Sequence, residues 1–160
     1  GLVGSEMCIR DRSSVEFVEE GNILAPKFNA EDVIPVVVTE TKSGLVLMLG
    51  YMNKEALEKT ILTKEAHYWS RSRKALWKKG ESSGMVHKID EILIDDDQDS
   101  IWLKVTIGGL GASCHVGYKS CFYRSVDSIE KDEVILNFTE SEKVFDPEEV
   151  YPGIENPTKL

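Results

Sequence analysis

The chain has 160 residues, a net charge of −9 and an apolar fraction of 41%. These values predict one domain with a substantial core, and the acidic balance argues against broad nucleic-acid binding. No apolar run is long enough to cross a membrane, and no secretory pattern is recognisable, so we expect a cytoplasmic protein. Residues 1–12 fit no predicted element and are expected to be non-native or disordered, and residues 13–32 are expected to form an N-terminal extension.

The first half of the chain predicts a hairpin followed by a helix. Residues 33–40 form a β-branched run, and Pro35 within it favours an edge or early strand. A turn at 41–44 leads into a second strand at 45–52. Asn53 is a helix N-cap, and the helix that it begins is expected to end near Thr63.

The second half predicts further strands and an acidic tail. We expect strands at 67–72, 85–95 and 100–107, with a short last one at 121–126. Residues 73–84 mix basic residues with Gly and Ser, which is typical of a loop, and Trp77 would anchor it. Residues 127–160 should form a loosely packed tail containing one short strand at most. The fold prediction is α+β, with a mainly antiparallel sheet and one or two helices.

A basic block lies between Ser70 and Lys79 and contains no acidic residue. Its cations are Arg71, Arg73, Lys74, Lys78 and Lys79. A compact positive block suits a small anionic ligand, but a solvated positive face is an equally good interpretation of the pattern alone.

Four aspartates surround the predicted turn between the strands at 85–95 and 100–107. Alternate residues of a strand share a face, so Asp95 and Asp97 would point one way, with Asp99 joining them, and Asp96 would point the other way. Converging carboxylates suit Mg²⁺ or Ca²⁺. Because Asp is also common in solvated turns, the spacing alone favours an ordinary hairpin turn.

Two cysteines and a histidine lie within eight residues, at Cys114, His115 and Cys121. All three are zinc ligand types, and the gap between the cysteines is too long for a structural CxxC knuckle. Two or three ligands with an open position would suit a catalytic zinc ion, which lowers the pKa of bound water to about 7. Two buried thiols beside a surface histidine fit the spacing equally well.

Taken together, four segments resemble the phosphoribosyl-AMP cyclohydrolase family of histidine biosynthesis. They are VLMLGYMNKEAL (46–57), EAHYWSRSRKALWKKGESSG (65–84), DDDQD (95–99) and ASCHVGYKSCFYR (112–124). The resemblance covers residues 33–126, which we take as the cyclohydrolase domain, and it depends on all four motifs occurring in this order.

The resemblance implies a reaction, two metals and an assembly. The family opens the purine ring of N1-(5-phosphoribosyl)-AMP by hydrolysing the bond between N1 and C6. It acts as an intertwined homodimer with Zn²⁺ held across the subunit interface and Mg²⁺ nearby. By this resemblance Asp95, Asp97 and Asp99 bind Mg²⁺, and Cys114 and Cys121 bind Zn²⁺.

The sequence departs from the family pattern at Asp96, where the third zinc cysteine is expected. Carboxylate oxygen is a legitimate zinc ligand, although harder than thiolate. Our hypothesis is a Cys-Cys-Asp zinc site with Asp96 supplied by the partner subunit. The alternative is a catalytically impaired, metal-binding homologue.

His115 is our candidate for moving a proton to the departing N1, because imidazole titrates near neutral pH. Its rival roles are zinc ligand and structural residue. The substrate carries two phosphate groups, and a larger set of side chains could bind them. This set is Arg71, Arg73, Lys78, Lys79, Ser82 and Ser83.

Two other classes of function account for fewer of these motifs. Zinc deaminases of nucleobases use H-x-E and P-C-x-x-C motifs, and neither occurs in this chain. A plain phosphate-binding module would use the basic block but would leave the cysteines and aspartates without a role.

Overall fold

The structure, a computed structural model, describes Arg12 and residues 14–160. The expectation for residues 1–12 therefore lies almost wholly outside the described residues. The elements in chain order are α1 (Val15–Glu20), β1 (Ile34–Glu40), β2 (Val46–Met52), α2 (Lys54–Thr63), β3 (His67–Ser70), β4 (Ala75–Lys78), β5 (His87–Ile94), β6 (Ile101–Ile107), β7 (Arg124–Glu130), β8 (Glu133–Phe138) and α3 (Pro147–Val150). No helix among the described residues is both long and apolar enough to cross a membrane.

The core is a four-stranded sheet in the order β2-β1-β6-β5. The β1–β2 and β5–β6 pairs are antiparallel, and β1 runs parallel to β6. The predicted α+β class with a mainly antiparallel sheet is therefore confirmed. Of the two positions predicted for the first strand, edge or early, the edge is wrong, because β1 is the first strand of the chain but lies between β2 and β6. Pro35 is tolerated there because pairing with β6 begins only at Val36, so the missing N–H falls outside that ladder.

Helix α2 packs against the sheet through a short apolar face. The Asn53 side chain accepts a hydrogen bond from the Ala56 N–H at 2.8 Å, which confirms the predicted N-cap. Ala56, Leu57 and Thr60 are fully buried and form the face of the helix that packs on the sheet. The helix ends at Thr63, followed by a left-handed C-cap.

A second hairpin, formed by β3 and β4, corrects the loop predicted for residues 73–84. Strand β4 occupies Ala75–Lys78 and pairs with β3, with Tyr68 opposite Trp77. The basic residues of this segment concealed its alternation. Because Trp77 packs against the main core, it does act as the predicted anchor.

The C-terminal region is more ordered than the predicted loose tail. The strand predicted at 121–126 corresponds to β7, which runs further along the chain, and β8 is the one short strand expected of the tail. The two strands pair as a hairpin, which the sequence did not predict. Beyond it, Phe145 is only 7% exposed and packs with Met85 and Ala112 in a second small core. The tail therefore returns to the body of the protein beside the cysteine segment.

Residues 14–32 pack on the acidic turn between β5 and β6. Gln98, which is buried in that turn, accepts a hydrogen bond from the Ala25 N–H and donates to the carbonyl of Val18. The backbone carbonyl of Gln98 accepts a hydrogen bond from the Lys27 N–H at 2.7 Å. The segment predicted as an extension thus buttresses the turn that carries the aspartates.

Candidate active site

A cavity of about 670 Å³ opens beside the hairpin of β3 and β4. Its walls come from β2, from this hairpin, from the loop after β4, from residues 112–115, and from the C-terminal residues 147–157. The tail contribution was not expected from the sequence, because no motif there carried a chemical signal.

Five of the six predicted phosphate-binding side chains line this cavity. They are Arg73, Lys78, Lys79, Ser82 and Ser83. Arg71 is not among the lining residues in the described structure; its guanidinium stacks over the Tyr51 ring at 3.8 Å from the centroid.

The two lysines of this set are held in different ways. Lys78 forms an ion pair with Glu65 at 2.8 Å, and this bond lowers the pKa of Glu65. Lys79 instead donates from Nζ to the carbonyl oxygen of Ser113 at 2.5 Å. Burial lowers the pKa of Lys79, while the neighbouring thiols oppose that effect. Lys79 therefore links the basic block to the cysteine segment.

Residues 112–121, which contain both cysteines, form a closed loop that we call the cysteine segment. The Ser113 N–H donates to Lys119, the Cys114 N–H donates to Tyr118, and the rings of Tyr118 and Tyr123 stack at 4.1 Å. At its far end, the Cys121 N–H donates to the carbonyl of Leu47 at 2.8 Å, which fastens the loop to β2. The six-residue gap thus closes without a CxxC turn.

The thiols of Cys114 and Cys121 influence each other's pKa. The neighbouring Cys121 thiol, a backbone N–H from Val116 and the Lys79 charge lower the pKa of Cys114 to about 6. The Cys114 sulfur and burial raise the pKa of Cys121, so the proton of the pair resides on Cys121. Above about pH 6 one thiolate is present, and a thiolate is the form that binds zinc.

The two cysteines are suitable zinc ligands, but they are only two of the three or four protein ligands that a zinc site has. Among the described residues, the only group of three or more His, Cys, Asp or Glu ligands close enough to share one ion is formed by Asp95, Asp97 and Asp99. Neither His115 nor Asp96 completes a three-ligand set with the thiols in this chain. The described residues of this chain therefore supply no third ligand beside the two thiols.

His115 lines the cavity and is held by the tail. Its Nε2 lies 3.2 Å from Thr158 Oγ1. Burial is the main cause that lowers the pKa of His115, so the neutral imidazole is favoured near pH 7.

The three outer aspartates meet at the turn, although by a different route from the one predicted. Strand β5 ends at Ile94, so residues 95–99 form a turn and strand alternation does not apply to them. Their ligand atoms nevertheless all lie within 4.8 Å of one another. A hydrogen bond with Asp99 raises the pKa of Asp97 and lowers that of Asp99. Asp96 is exposed and outside this group.

Sequence reasoning missed three buried polar residues beside the cysteines. Tyr68 Oη lies 2.9 Å from His87 Nδ1, and His87 Nε2 lies 3.3 Å from Ser113 Oγ. The residues are 19 and 26 positions apart, so no local motif could have signalled their contact.

Comparison with known proteins places the chain in a family. The family model of phosphoribosyl-AMP cyclohydrolase matches residues 48–123. A phosphoribosyl-AMP cyclohydrolase of Rhodopseudomonas palustris (strain HaA2) is 51% identical over 138 residues, covering 86% of this chain and 93% of the relative.

A second relative with that name, from Nitrobacter winogradskyi, is 49% identical over 140 residues, covering 88% of this chain and 94% of its own length. The chain therefore belongs to the phosphoribosyl-AMP cyclohydrolase family of hydrolases, as the four sequence motifs predicted.

Proposed function

We propose that this protein hydrolyses the N1–C6 bond of the purine ring in N1-(5-phosphoribosyl)-AMP, a step of histidine biosynthesis. One observation carries the proposal beyond family membership. The Cys114 thiol lines a cavity whose rim bears cations and hydroxyls suited to a doubly phosphorylated substrate, and the Cys121 thiol is its neighbour.

Each part of the site has a role in this reaction. Arg73, Lys78 and Lys79 bind and orient phosphate, and Ser82 and Ser83 add hydroxyl donors. Zinc, when bound, would act as a Lewis acid that activates water for attack on C6. His115 accepts a proton from the attacking water and returns it to N1 as the N1–C6 bond breaks, leaving a carboxamide on the imidazole.

For zinc we propose Cys114 and Cys121 of one chain with Asp96 of the partner subunit. The proposal is supported by the exposure of Asp96 and by its separation from the thiols within one chain. For Mg²⁺ we propose Asp95, Asp97 and Asp99, whose oxygen ligands suit a hard cation.

A homodimer is supported by one face of the β7–β8 hairpin. Val126 lies opposite Leu136, and Ile129 opposite Val134, so the four side chains share a face. Val126 and Ile129 are 73% and 75% exposed. A continuous apolar face of this kind marks an interaction surface, and a second copy is the occupant that could also complete the zinc site.

The dimer is tested by placing a charge on this face. Leu136→Glu should give a monomer by light scattering, because a buried unpaired carboxylate is costly. Asn137→Glu is the matched control, because Asn137 is the next residue and lies on the opposite face of the hairpin. This variant should keep the molecular mass of a dimer. A dimeric Leu136→Glu variant would mean that the interface lies elsewhere.

The activity is tested by following ring opening of N1-(5-phosphoribosyl)-AMP by absorbance, before and after zinc chelation. We expect turnover that the chelator abolishes and added zinc restores. Folded dimeric protein that binds zinc but stays inactive would favour the second candidate, a metal-binding homologue whose chemistry was lost when Asp96 replaced a cysteine.

A further inference from the structure

A buried polar chain runs from the core to the cysteine segment. Tyr68 and His87 are completely buried, and Ser113, the residue before Cys114, is 2% exposed. His87 contacts Tyr68 through Nδ1 and Ser113 through Nε2. Buried polar groups of this kind specify one arrangement when all are satisfied, and they are costly when a partner is removed.

The hydrogen-bond directions follow from the need to satisfy Tyr68. Among the described residues, His87 is the only hydrogen-bond partner of the Tyr68 hydroxyl. If Nδ1 carried the proton, the Tyr68 O–H would be buried without an acceptor. Tyr68 therefore donates to Nδ1, and Nε2–H donates to Ser113 Oγ. This arrangement requires a neutral imidazole, and burial lowers the pKa of His87 to about 3.

Ser113 is consequently held at two atoms. His87 binds its hydroxyl from the core side, and Lys79 binds its carbonyl oxygen at 2.5 Å. Because Cys114 follows directly, fixing Ser113 limits where the Cys114 thiol can lie. A histidine with a purely structural role could form both hydrogen bonds inside the core. His87 instead reaches Ser113 in the cysteine segment.

We propose that His87 is a positioning residue which, through Ser113, holds Cys114 in the geometry that binds zinc. The inference rests on the proposed zinc site and adds a support that lies in the core. Residues that orient metal ligands typically contribute about 10–100-fold in metal affinity, and we expect a loss in this range.

The test measures zinc affinity by chelator competition, together with the absorption spectrum of the cobalt-loaded protein. Ser113→Ala should weaken zinc about tenfold and shift the cobalt bands. The metal-free variant should still fold, but its urea midpoint should fall, because the buried Nε2–H of His87 loses its acceptor. His87→Leu should weaken zinc similarly. The double variant should lose little more than either single one, because both changes break the same link. His87→Gln should restore most of the affinity, since an amide can also bridge two hydroxyls.

His67→Gln is the matched control, because His67 is a half-buried strand histidine that bonds only locally, to the carbonyl of Glu65. It should leave zinc affinity unchanged. If Ser113→Ala and His87→Leu kept wild-type affinity and cobalt spectra, His87 would be merely structural and the inference would be overturned. If the wild-type protein bound no zinc at all, the proposed zinc site would fail first, and the inference with it.

Discussion

The two candidate metal sites differ in how far apart in the sequence the residues that build them lie. The aspartate turn takes all its ligands from residues 95–99, and its carboxylates already lie within 4.8 Å of one another. The cysteine loop is fastened to β2 by Leu47, to the core by His87 and to the basic block by Lys79. A local site can form from one turn, whereas the cysteine site requires the completed fold and, in our proposal, a second chain.

The largest effect should come from the cysteine loop itself. Cys114→Ser removes the proposed ligand with the lowered pKa, so zinc binding and turnover should fall by more than the roughly 100-fold that losing a supporting residue costs. Metal analysis and the ring-opening assay measure both. The dimer mass should not change, and a fully active Cys114→Ser protein would remove this loop from the zinc site.

His115→Asn should separate proton transfer from metal binding. We expect turnover to fall by about 10²–10⁴-fold while zinc content stays constant, because general acid–base catalysis contributes in that range. If zinc were lost in parallel with activity, His115 would be a ligand instead of a proton carrier.

The basic block allows a test of substrate binding with an internal control. Arg73 lines the cavity, whereas Lys74, the next residue in the same turn, does not. Arg73→Gln should raise KM about tenfold or more, since charge-assisted hydrogen bonds contribute about 1.5–3 kcal/mol. Lys74→Gln changes the net charge equally and should leave KM near wild type. Equal effects of the two variants would indicate general attraction in place of a specific contact.

The aspartate turn should show a smaller, pH-dependent effect. The raised pKa of Asp97 means that its proton competes with Mg²⁺ over a higher pH range, so affinity should fall as the pH drops through that pKa. Asp97→Asn should weaken Mg²⁺ about tenfold and flatten this dependence. Calorimetric titration at several pH values measures both, and Asp127→Asn, on the exposed β7, is the control.

The contrast between local and long-range parts also explains what the sequence could predict. The hairpin of β1 and β2, the Asn53 cap and strands β5 and β6 follow local patterns and were predicted. The central position of β1 was not, because Pro35 signals only its own missing N–H and not which strand pairs with it. Strand β4 was hidden by its basic residues, and the β7–β8 hairpin by acidic neighbours and general exposure.

The candidate site divides in the same way. The cysteines, aspartates and basic block were predicted because each forms a motif within a few residues. The contacts that Tyr68, His87 and Ser113 make, and those of Thr158 with His115, join distant segments and become visible only in the folded chain.

The most direct test of a zinc site built from two chains is complementation between two inactive variants. Cys114→Ser keeps Asp96, and Asp96→Ala keeps both cysteines, so a mixed dimer contains one intact site. Each variant alone should lack zinc-dependent turnover, and an equal mixture that exchanges subunits freely should recover about a quarter of wild-type activity. Mixed dimers that form but stay inactive, or an Asp96→Ala protein that is active alone, would contradict the account.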